Sequence, residues 1–264
     1  MIALLSVIGL LMAGVMLLAW IVQRGTGNGG WVDVFWSFGT GACCVGGVLL
    51  DGEGGAPWRR LALAALVGLW SLRLGLYIAR RVAEGPEDVR YAALRREWGE
   101  AFDRRLLRFV LIQAPVSAIL AASVLFAGRQ PDQLFDLLDV IGLAIALLAI
   151  LGEGVADRQM KRFRSDPANK GKVCDRGLWA CSRHPNYFFE ALFWVSYPVI
   201  ALDLANPWSF SSWLAPLVMA AALRFGSGVP PLESAMLASK GEAYRHYQER
   251  VPAILPRWPR NPRI

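Results

Sequence analysis

Hydrophobic residues fall in blocks along this chain, and most charged residues lie between the blocks. Each block has about the 20 residues that a helix needs to cross the roughly 30 Å hydrocarbon core of a bilayer. The pattern predicts seven apolar spans, at residues 2–22, 31–50, 61–79, 107–127, 134–152, 187–202 and 208–223. Because the sixth span is short and the seventh follows it closely, six or eight crossings remain open. The predicted fold is an all-α integral membrane bundle of about seven transmembrane helices.

The distribution of positive charge between the spans predicts an orientation. Arginine-rich segments at residues 80–105, at residues 158–183 and from residue 224 onward alternate with weakly charged connections at 51–58, 128–133 and 203–207. Basic loops stay on the cytoplasmic side of a membrane. With seven helices the three basic segments share one side, which predicts an N-terminus outside and a C-terminus in the cytoplasm. Residues 231–251 alternate apolar and charged positions, a spacing that predicts one amphipathic helix on the membrane or the bundle.

Composition narrows the classes of partner. The chain is 55% hydrophobic and 19% charged, whereas soluble domains are about a quarter charged. Basic cytoplasmic loops account for the net charge of +7, so we expect membrane lipids as partners and no nucleic acid. Four cysteines without zinc-ligand spacing and only two histidines predict neither a disulfide framework nor a metal site.

A stripe of charged residues marks the end of the fifth span. Glu153, Asp157, Lys161 and Arg164 lie at i, i+4, i+8 and i+11, on one face of a helix that leaves the membrane. On such a stripe Lys161 and Arg164 can hold a phosphate-bearing ligand while the acids contact ribose hydroxyls. The alternative is a solvated face stabilised by ion pairs between successive turns.

The segment that opens the sixth span is a second candidate site. Pro185 favours the first turn of a helix, which puts Arg183 and His184 at a helix N-terminus, where backbone N–H groups favour anions. Asn186 and Glu190 then share one face of that helix. An acid one turn inside a membrane helix is costly unless it binds something. These residues therefore indicate a ligand at the cytoplasmic mouth, with a purely structural pairing as the alternative.

The C-terminal half carries a pattern that resembles a known family. The residues concerned are Gly177-Leu178-Trp179, Ser182, Asn186-Tyr187 and Glu190, with Asp157 and Arg164 upstream. This pattern resembles the C-terminal domain of the steroid 5-alpha-reductase family, and the whole chain is similar to its bacterial relatives of unassigned substrate. Those relatives share the loop Glu87-Asp88-Val89-Arg90-Tyr91 and the tail that starts at Ser227-Gly228.

The resemblance implies a seven-helix enzyme of the bacterial inner membrane. Members of the family use NADPH to reduce a carbon–carbon double bond conjugated to a ketone in a steroid-like or other lipid substrate. Carried over by position, it implies that Asp157, Arg164, Asn186 and Glu190 contact the cofactor. Together with the residues argued from spacing, the candidate cofactor-binding set is Asp157, Lys161, Arg164, Arg183, His184, Asn186, Tyr187, Glu190, Arg224 and Glu233.

Two departures and one rival qualify what the resemblance implies. The stretch Gly228–Glu233 has no counterpart to the reductases' arginine and histidine, for which Arg224 is the candidate substitute, and the second span lacks their Gln-Glu pair. The Arg183-His184-Pro185-x-Tyr187 pattern also resembles membrane methyltransferases related to isoprenylcysteine carboxyl methyltransferase, which bind S-adenosylmethionine. A membrane protein without enzymatic activity is the third possibility.

The N-terminal part, residues 1–127, is expected to form the substrate pocket, and residues 128–264 the cofactor-binding region. Asp33 lies near the start of the second span, and Trp70, Arg73 and Tyr77 share a face of the third. An intramembrane acid and an intramembrane arginine are each costly alone, so Asp33 and Arg73 are predicted partners. Asp33, Arg73 and Tyr77 are the catalytic candidates, with Asp33 as a protonated donor to a substrate carbonyl. A structural ion pair or a snorkelling arginine is the alternative.

The loop Glu87–Tyr91 lies within the first arginine-rich segment. It is either a solvated loop helix or a gate over the cofactor.

Overall fold

The computed structural model describes residues 1–53, 55–131 and 135–258, and all regular secondary structure in these ranges is helical. The predicted start of the fifth span, at residue 134, and the end of the C-terminal region, at residues 259–264, lie outside the described residues. The α-helices of the described ranges are α1 (Ile2–Thr26), α2 (Gly30–Leu50), α3 (Pro57–Glu84), α4 (Val89–Trp98), α5 (Phe102–Leu111), α6 (Gln113–Gly128), α7 (Leu137–Ser165), α8 (Leu178–Cys181), α9 (Pro185–Ile200), α10 (Leu214–Phe225), α11 (Val229–Lys240) and α12 (Glu242–Arg250).

Six helical stretches of the described residues are long and apolar enough to cross a membrane. They are Ile2–Thr26, Gly30–Leu50, Pro57–Glu84, Val89–Gly128, Leu137–Ser165 and Pro207–Lys240. The predicted sixth span corresponds to α9, whose 16 residues make a helix about 24 Å long, shorter than a hydrocarbon core of roughly 30 Å. The sequence analysis gave about seven spans, and the difference is this one short helix.

The outer faces of the long helices are apolar. Leu10 on α1 is 75% exposed, Leu72 on α3 is 54% exposed and Leu148 on α7 is 58% exposed. Exposing so much leucine surface costs free energy in water but not among lipid tails. Helix length and exposed apolar surface together define an all-α membrane protein.

Small residues on α7 allow α9 to approach it closely. A Cβ added at Gly142 would lie 2.3 Å from Ile200, and one added at Gly152 would lie 2.3 Å from the ring of Phe189. Membrane helices, which gain little from burying apolar surface against lipid, associate through such small-residue faces. The seam between α7 and α9 brings Glu153 and Glu190 into the same region of the bundle.

Buried arginines connect α3 to α7. Near the start of α3, Arg59 donates from Nε and a terminal nitrogen to the two carboxylate oxygens of Asp139, both at 2.9 Å. Further along the same helix, Arg73 pairs with the acids of α7. Buried pairs of this geometry fix which faces of two helices meet.

Two helix breaks correct the sequence analysis. The predicted fourth span, residues 107–127, is divided between α5 and α6 at Ile112, since Pro115 in the first turn of α6 cannot bond back to Leu111. The tail predicted as one helix at 231–251 is two helices, α11 and α12, because Gly241 has a φ of +54°. A residue without a side chain is needed at that angle, and the change of direction brings α12 back against the bundle.

Candidate functional site

Arg73 is the centre of a buried ion-pair cluster between α3 and α7. Its guanidinium pairs with Glu153, and its other terminal nitrogen lies 2.8 Å from Oδ2 of Asp157. The side chain of Arg73 is 18% exposed, and those of Glu153 and Asp157 are 5% and 7% exposed. Asp157 pairs across to α3 and not along its own helix with Lys161, so the solvated-face alternative is wrong for Asp157.

The predicted pairing of Asp33 with Arg73 is also wrong. Ser71 Oγ donates to the carbonyl of Ser37 at 2.9 Å, which shows that the Ser71 face of α3 packs on α2. Arg73 is two positions further on, about 200° around the helix, and it therefore points away from α2 toward α7.

Glu190 is held by two indole groups in the interior of the bundle. Trp70 Nε1 donates to one carboxylate oxygen at 2.8 Å, and Trp194 Nε1 donates to the other at 3.0 Å. The ring of Trp70 stacks on Phe193 at a centroid distance of 5.5 Å. Glu190 is thus fixed as an acceptor, and each of its oxygens retains a lone pair for a further donor.

The cluster contains more acidic than basic side chains. Glu153, Asp157 and Glu190 are all buried, and in the part of the chain that the structure describes, Arg73 is the one cation in direct contact with them. Buried charge is costly unless it is neutralised. The region is therefore suited to a ligand that brings a positive charge or that donates hydrogen bonds.

Asp33 belongs to a second cluster, which joins α2 to the start of α4. Tyr91 donates its hydroxyl to Oδ1 of Asp33 at 2.8 Å, and Arg90 pairs with Oδ2. In this arrangement Asp33 accepts from two donors, which is the opposite of the protonated donor role predicted for it. A Cβ on Gly29 would lie 2.4 Å from the Tyr91 ring, so the absence of a side chain there lets α4 lie against the α1–α2 turn.

Asp88 holds this second cluster together. It accepts from Arg90 Nε at 2.9 Å and from Arg81 at 2.7 Å. Burial raises the pKa of Asp88, but the two guanidinium groups and the backbone N–H of Arg90 outweigh burial and bring that pKa to about 2. Glu87 also accepts from the backbone N–H of Gly29 at 2.9 Å, and together these contacts hold the Glu87–Tyr91 loop on the bundle.

The third cluster fixes the C-terminal tail. Arg183 Nε donates to Oε1 of Glu233 at 2.7 Å, and Gln248 donates to Oε2 at 2.7 Å. The backbone N–H groups of Arg183 and His184 donate to the carbonyls of Pro252 and Ala253. The anion at this helix N-terminus is therefore the carboxylate of Glu233, so Arg183 and Glu233 hold the tail in place.

Two buried acceptors at the start of α9 are unpaired. Burial lowers the pKa of His184, and this effect is larger than the opposing rise in pKa caused by the contact with Glu233. A neutral ring that donates from Nε2 to Glu233, at 3.0 Å, leaves Nδ1 as an acceptor. Among the described residues, neither His184 Nδ1 nor Asn186 Oδ1 has a hydrogen-bond partner. Because buried acceptors without a partner are costly, both atoms are candidates to accept hydrogen bonds from a ligand.

The C-terminal end of α7 borders a basic cavity of about 350 Å³. Its walls combine apolar Met160, Phe163 and Met236 with the cations Arg164, Lys170, Lys172 and Lys240. Arg164 therefore lies where a phosphate group could bind. Lys161 is exposed and is not part of this lining.

Of the three remaining candidates, Arg224 and Tyr77 lie apart from these contacts, and Tyr187 touches them through His184. Arg224 is exposed at the end of α10, with its guanidinium 5.2 Å from the ring centroid of Phe225. Tyr77 is half-buried against the apolar cluster of Val34, Ile78 and Val82. Tyr187 stacks on His184 at 5.2 Å between ring centroids.

The two indole donors of Glu190 were not predicted from the sequence. Trp194 lies one turn after Glu190, so its spacing was a usable signal. Trp70 lies 120 positions before Glu190, and no pattern within a single helix could have connected them.

The fold and the clusters define the class: an all-helical membrane protein with a buried, acid-rich polar site between α3, α7 and α9. The chain belongs to the family described as DUF1295, a protein family of unknown function, whose model matches residues 19–251. It is 26% identical over 235 residues to an uncharacterised protein of Schizosaccharomyces pombe. That match covers 76% of this chain and 64% of the yeast protein. No solved structure matches the chain.

Proposed function

We propose that this protein is an NADPH-dependent membrane reductase that reduces a carbon–carbon double bond conjugated to a ketone in a lipophilic substrate. The observation that carries the proposal is the acid-rich site of Glu153, Asp157 and Glu190, balanced in direct contact by Arg73 alone in the described part of the chain. When bound, the cofactor supplies a hydride. The residues of the chain hold the cofactor and stabilise the charge that this transfer creates.

The polar groups fit an extended dinucleotide along α7. Eleven residues separate Glu153 from Arg164, about 16 Å along the helix axis. Arg164 and the lysines of the basic cavity suit the phosphate end. Asn186 Oδ1, His184 Nδ1 and the remaining lone pairs of Glu190 suit the hydroxyl and carboxamide donors of the other end. A cofactor that lacks phosphate would leave the basic cavity without a role.

The sign of the charge favours hydride transfer over methyl transfer. Each carboxylate of the cluster that is ionised would stabilise the positive charge that develops on a bound nicotinamide as hydride leaves, and so would lower the barrier. The same charge would stabilise the sulfonium of S-adenosylmethionine most strongly before transfer, which raises the barrier. The methyltransferase therefore remains the second candidate, supported by the Arg183–Tyr187 pattern.

The groups that face the substrate carbonyl are proposed from the second cluster. Reduction places negative charge on the carbonyl oxygen, which an N–H or O–H donor stabilises. Asp33 holds Arg90 and Tyr91 in place, which makes it a positioning residue, and Tyr77 stays the phenolic candidate. With basic segments on the cytoplasmic side, the proposed location is the inner membrane of a bacterium, with the N-terminus outside.

Ligand binding by the purified protein tests the proposal. Mass spectrometry should detect NADPH or NADP⁺ in protein purified in mild detergent, and titration should show NADPH binding tighter than S-adenosylmethionine. His184→Ala should weaken NADPH binding about tenfold, the effect of losing one buried hydrogen bond to the ligand. The matched control is His246→Ala, at the exposed second histidine. Retention of S-adenosylmethionine would support the methyltransferase alternative, and binding of neither ligand would favour a membrane protein without enzymatic activity.

A further inference from the structure

A second cavity lies between α4 and the start of α11, apart from the basic cavity at the end of α7. Its volume is about 390 Å³. Its apolar lining residues include Leu94 of α4, Phe109 of α5 and Pro230 and Pro231 of α11. The cavity therefore joins the N-terminal part of the chain to the C-terminal part, whereas the sequence analysis placed a substrate pocket in residues 1–127.

The second polar cluster borders this cavity. Arg90 and Tyr91 line the cavity and are the two side chains that bind Asp33. Arg90 uses Nε and one terminal nitrogen for Asp33 and Asp88, and its other terminal nitrogen makes no hydrogen bond to the described residues. That nitrogen is a donor available to an oxygen atom of a ligand.

The charges around the cavity select against an anionic ligand. Arg90 is already balanced by Asp33 and Asp88, and Glu97 adds a further acid to the lining. A carboxylate or phosphate headgroup would meet these acids without a free cation among the lining residues. An uncharged carbonyl oxygen meets the Arg90 donor without that repulsion.

The position of the cavity suits a ligand that arrives from the membrane. Phe102, Leu106 and Val110 form the buried face of α5, and Arg104, Arg105 and Arg108 lie on its other faces. The apolar face packs against α1 in the protein core, and the exposed arginines suit the headgroup level of a membrane. Phe225, 76% exposed, lies just before the Gly226–Ser227 wall. The volume is near the lower limit for small-molecule sites, roughly 300 Å³, and favours one chain or one fused-ring skeleton over a two-chain phospholipid.

We infer that the α4–α11 cavity binds an uncharged, single-chain or fused-ring lipid whose carbonyl oxygen accepts a hydrogen bond from Arg90. The assignment of this cavity as the substrate site rests on the proposed function. Its assignment as a lipid-binding site rests only on the lining residues and their charges.

Photolabelling in phosphatidylcholine nanodiscs tests the inference. The probe is a long-chain methyl ketone with a diazirine on its chain, and the comparison probe is the carboxylic acid of the same chain. The ketone should label residues 90–97 and 226–234, and the acid should label them about tenfold less. Ala93→Trp and Ser234→Trp, on opposite walls, should each reduce labelling about tenfold. The control Leu147→Trp, on the lipid-facing side of α7, should not.

Only variants that elute as the wild type does in size-exclusion chromatography are compared, and the two tryptophan variants serve as replicates of each other. Labelling spread over lipid-facing helices, or unchanged by both variants, or equal for ketone and acid, would overturn the inference. NADPH titration of the same samples separates the two proposals. If the ketone labels the cavity and NADPH does not bind, the lipid site is supported and the proposed reductase is contradicted. If NADPH binds and the ketone labels residues outside the cavity, the lipid site is contradicted and the proposed reductase is supported.

Discussion

Replacing Arg73 by methionine removes the cation and keeps a side chain that packs in a similar volume. In the native protein the Arg73 guanidinium contacts Glu153 and Asp157, whose side chains are 5% and 7% exposed. The substitution strands both carboxylates where water can reach little of them. The nearby buried Glu190 adds to the electrostatic cost.

The size of the effect follows from the burial of the cluster. Removing one partner of a buried ion pair costs about 3–5 kcal/mol, because the remaining charge is uncompensated. With Arg73 itself 18% exposed, solvent screening reduces this only slightly, and we expect a loss of about 4 kcal/mol. The midpoint of thermal inactivation should then fall by roughly 10 °C. The triple variant Arg73→Met, Glu153→Gln, Asp157→Asn removes both stranded charges and should recover most of the loss.

Fluorescence-detected size-exclusion chromatography after heating gives the midpoint for each variant in one detergent. Arg80→Met is the matched control, since Arg80 is an exposed arginine on the same helix and its loss should shift the midpoint by less than about 2 °C. A single variant as stable as the wild type would refute the argument from buried charge. A triple variant no more stable than Arg73→Met would show that lost packing, and not stranded charge, causes the effect.

Three further predictions concern the surroundings of the site. Gly152→Leu should destabilise the protein by about 2 kcal/mol through overpacking against Phe189, whereas Gly14→Leu, at a site with open space, should be neutral in the same heating assay. Asp88 has a pKa of about 2 against an ordinary 3.8, so its ionised carboxylate stabilises the fold at pH values above 3.8. The free energy of unfolding of the wild type should therefore exceed that of Asp88→Asn by about 2 kcal/mol near neutral pH, and this difference should disappear as pH falls from about 4 to 2. A difference that stays constant with pH would contradict this explanation. Glu233→Gln should speed trypsin cleavage in the tail because Arg183 loses its carboxylate partner, while Glu242→Gln, at an exposed pair, should not.

Helix positions could be predicted from the sequence because lipid imposes the same length and polarity on every span. The described structure confirms the all-helical fold and the helix that carries Glu153 to Arg164 out of the bundle. It departs where a single residue acts on the backbone. Pro115 divides α5 from α6, and Gly241 divides α11 from α12, and average hydrophobicity is insensitive to both.

Partners across the bundle could not be predicted. An intramembrane arginine is costly without a partner, and the charge of Arg73 would be neutralised equally by Asp33 or by Asp157. The choice depends on the rotation of α3, which the Ser71–Ser37 contact on one side and the Arg59–Asp139 pair on another determine. Those contacts join residues 34 and 80 positions apart. Charge balance indicates that a partner must exist, but not which one.

The division into a substrate part, residues 1–127, and a cofactor part, residues 128–264, stays a prediction. The contacts of Trp70 and Arg73 across the bundle bear on it. Glu190 belongs to the second part, yet Trp70 of the first part donates one of its hydrogen bonds. Asp157, likewise in the second part, depends on Arg73 of the first for its countercharge. Built from the second part alone, the site would leave Asp157 without its countercharge and Glu190 with Trp194 as the one indole donor of the two. The two parts must therefore assemble before this site exists, and the α3–α7 interface is part of the site itself.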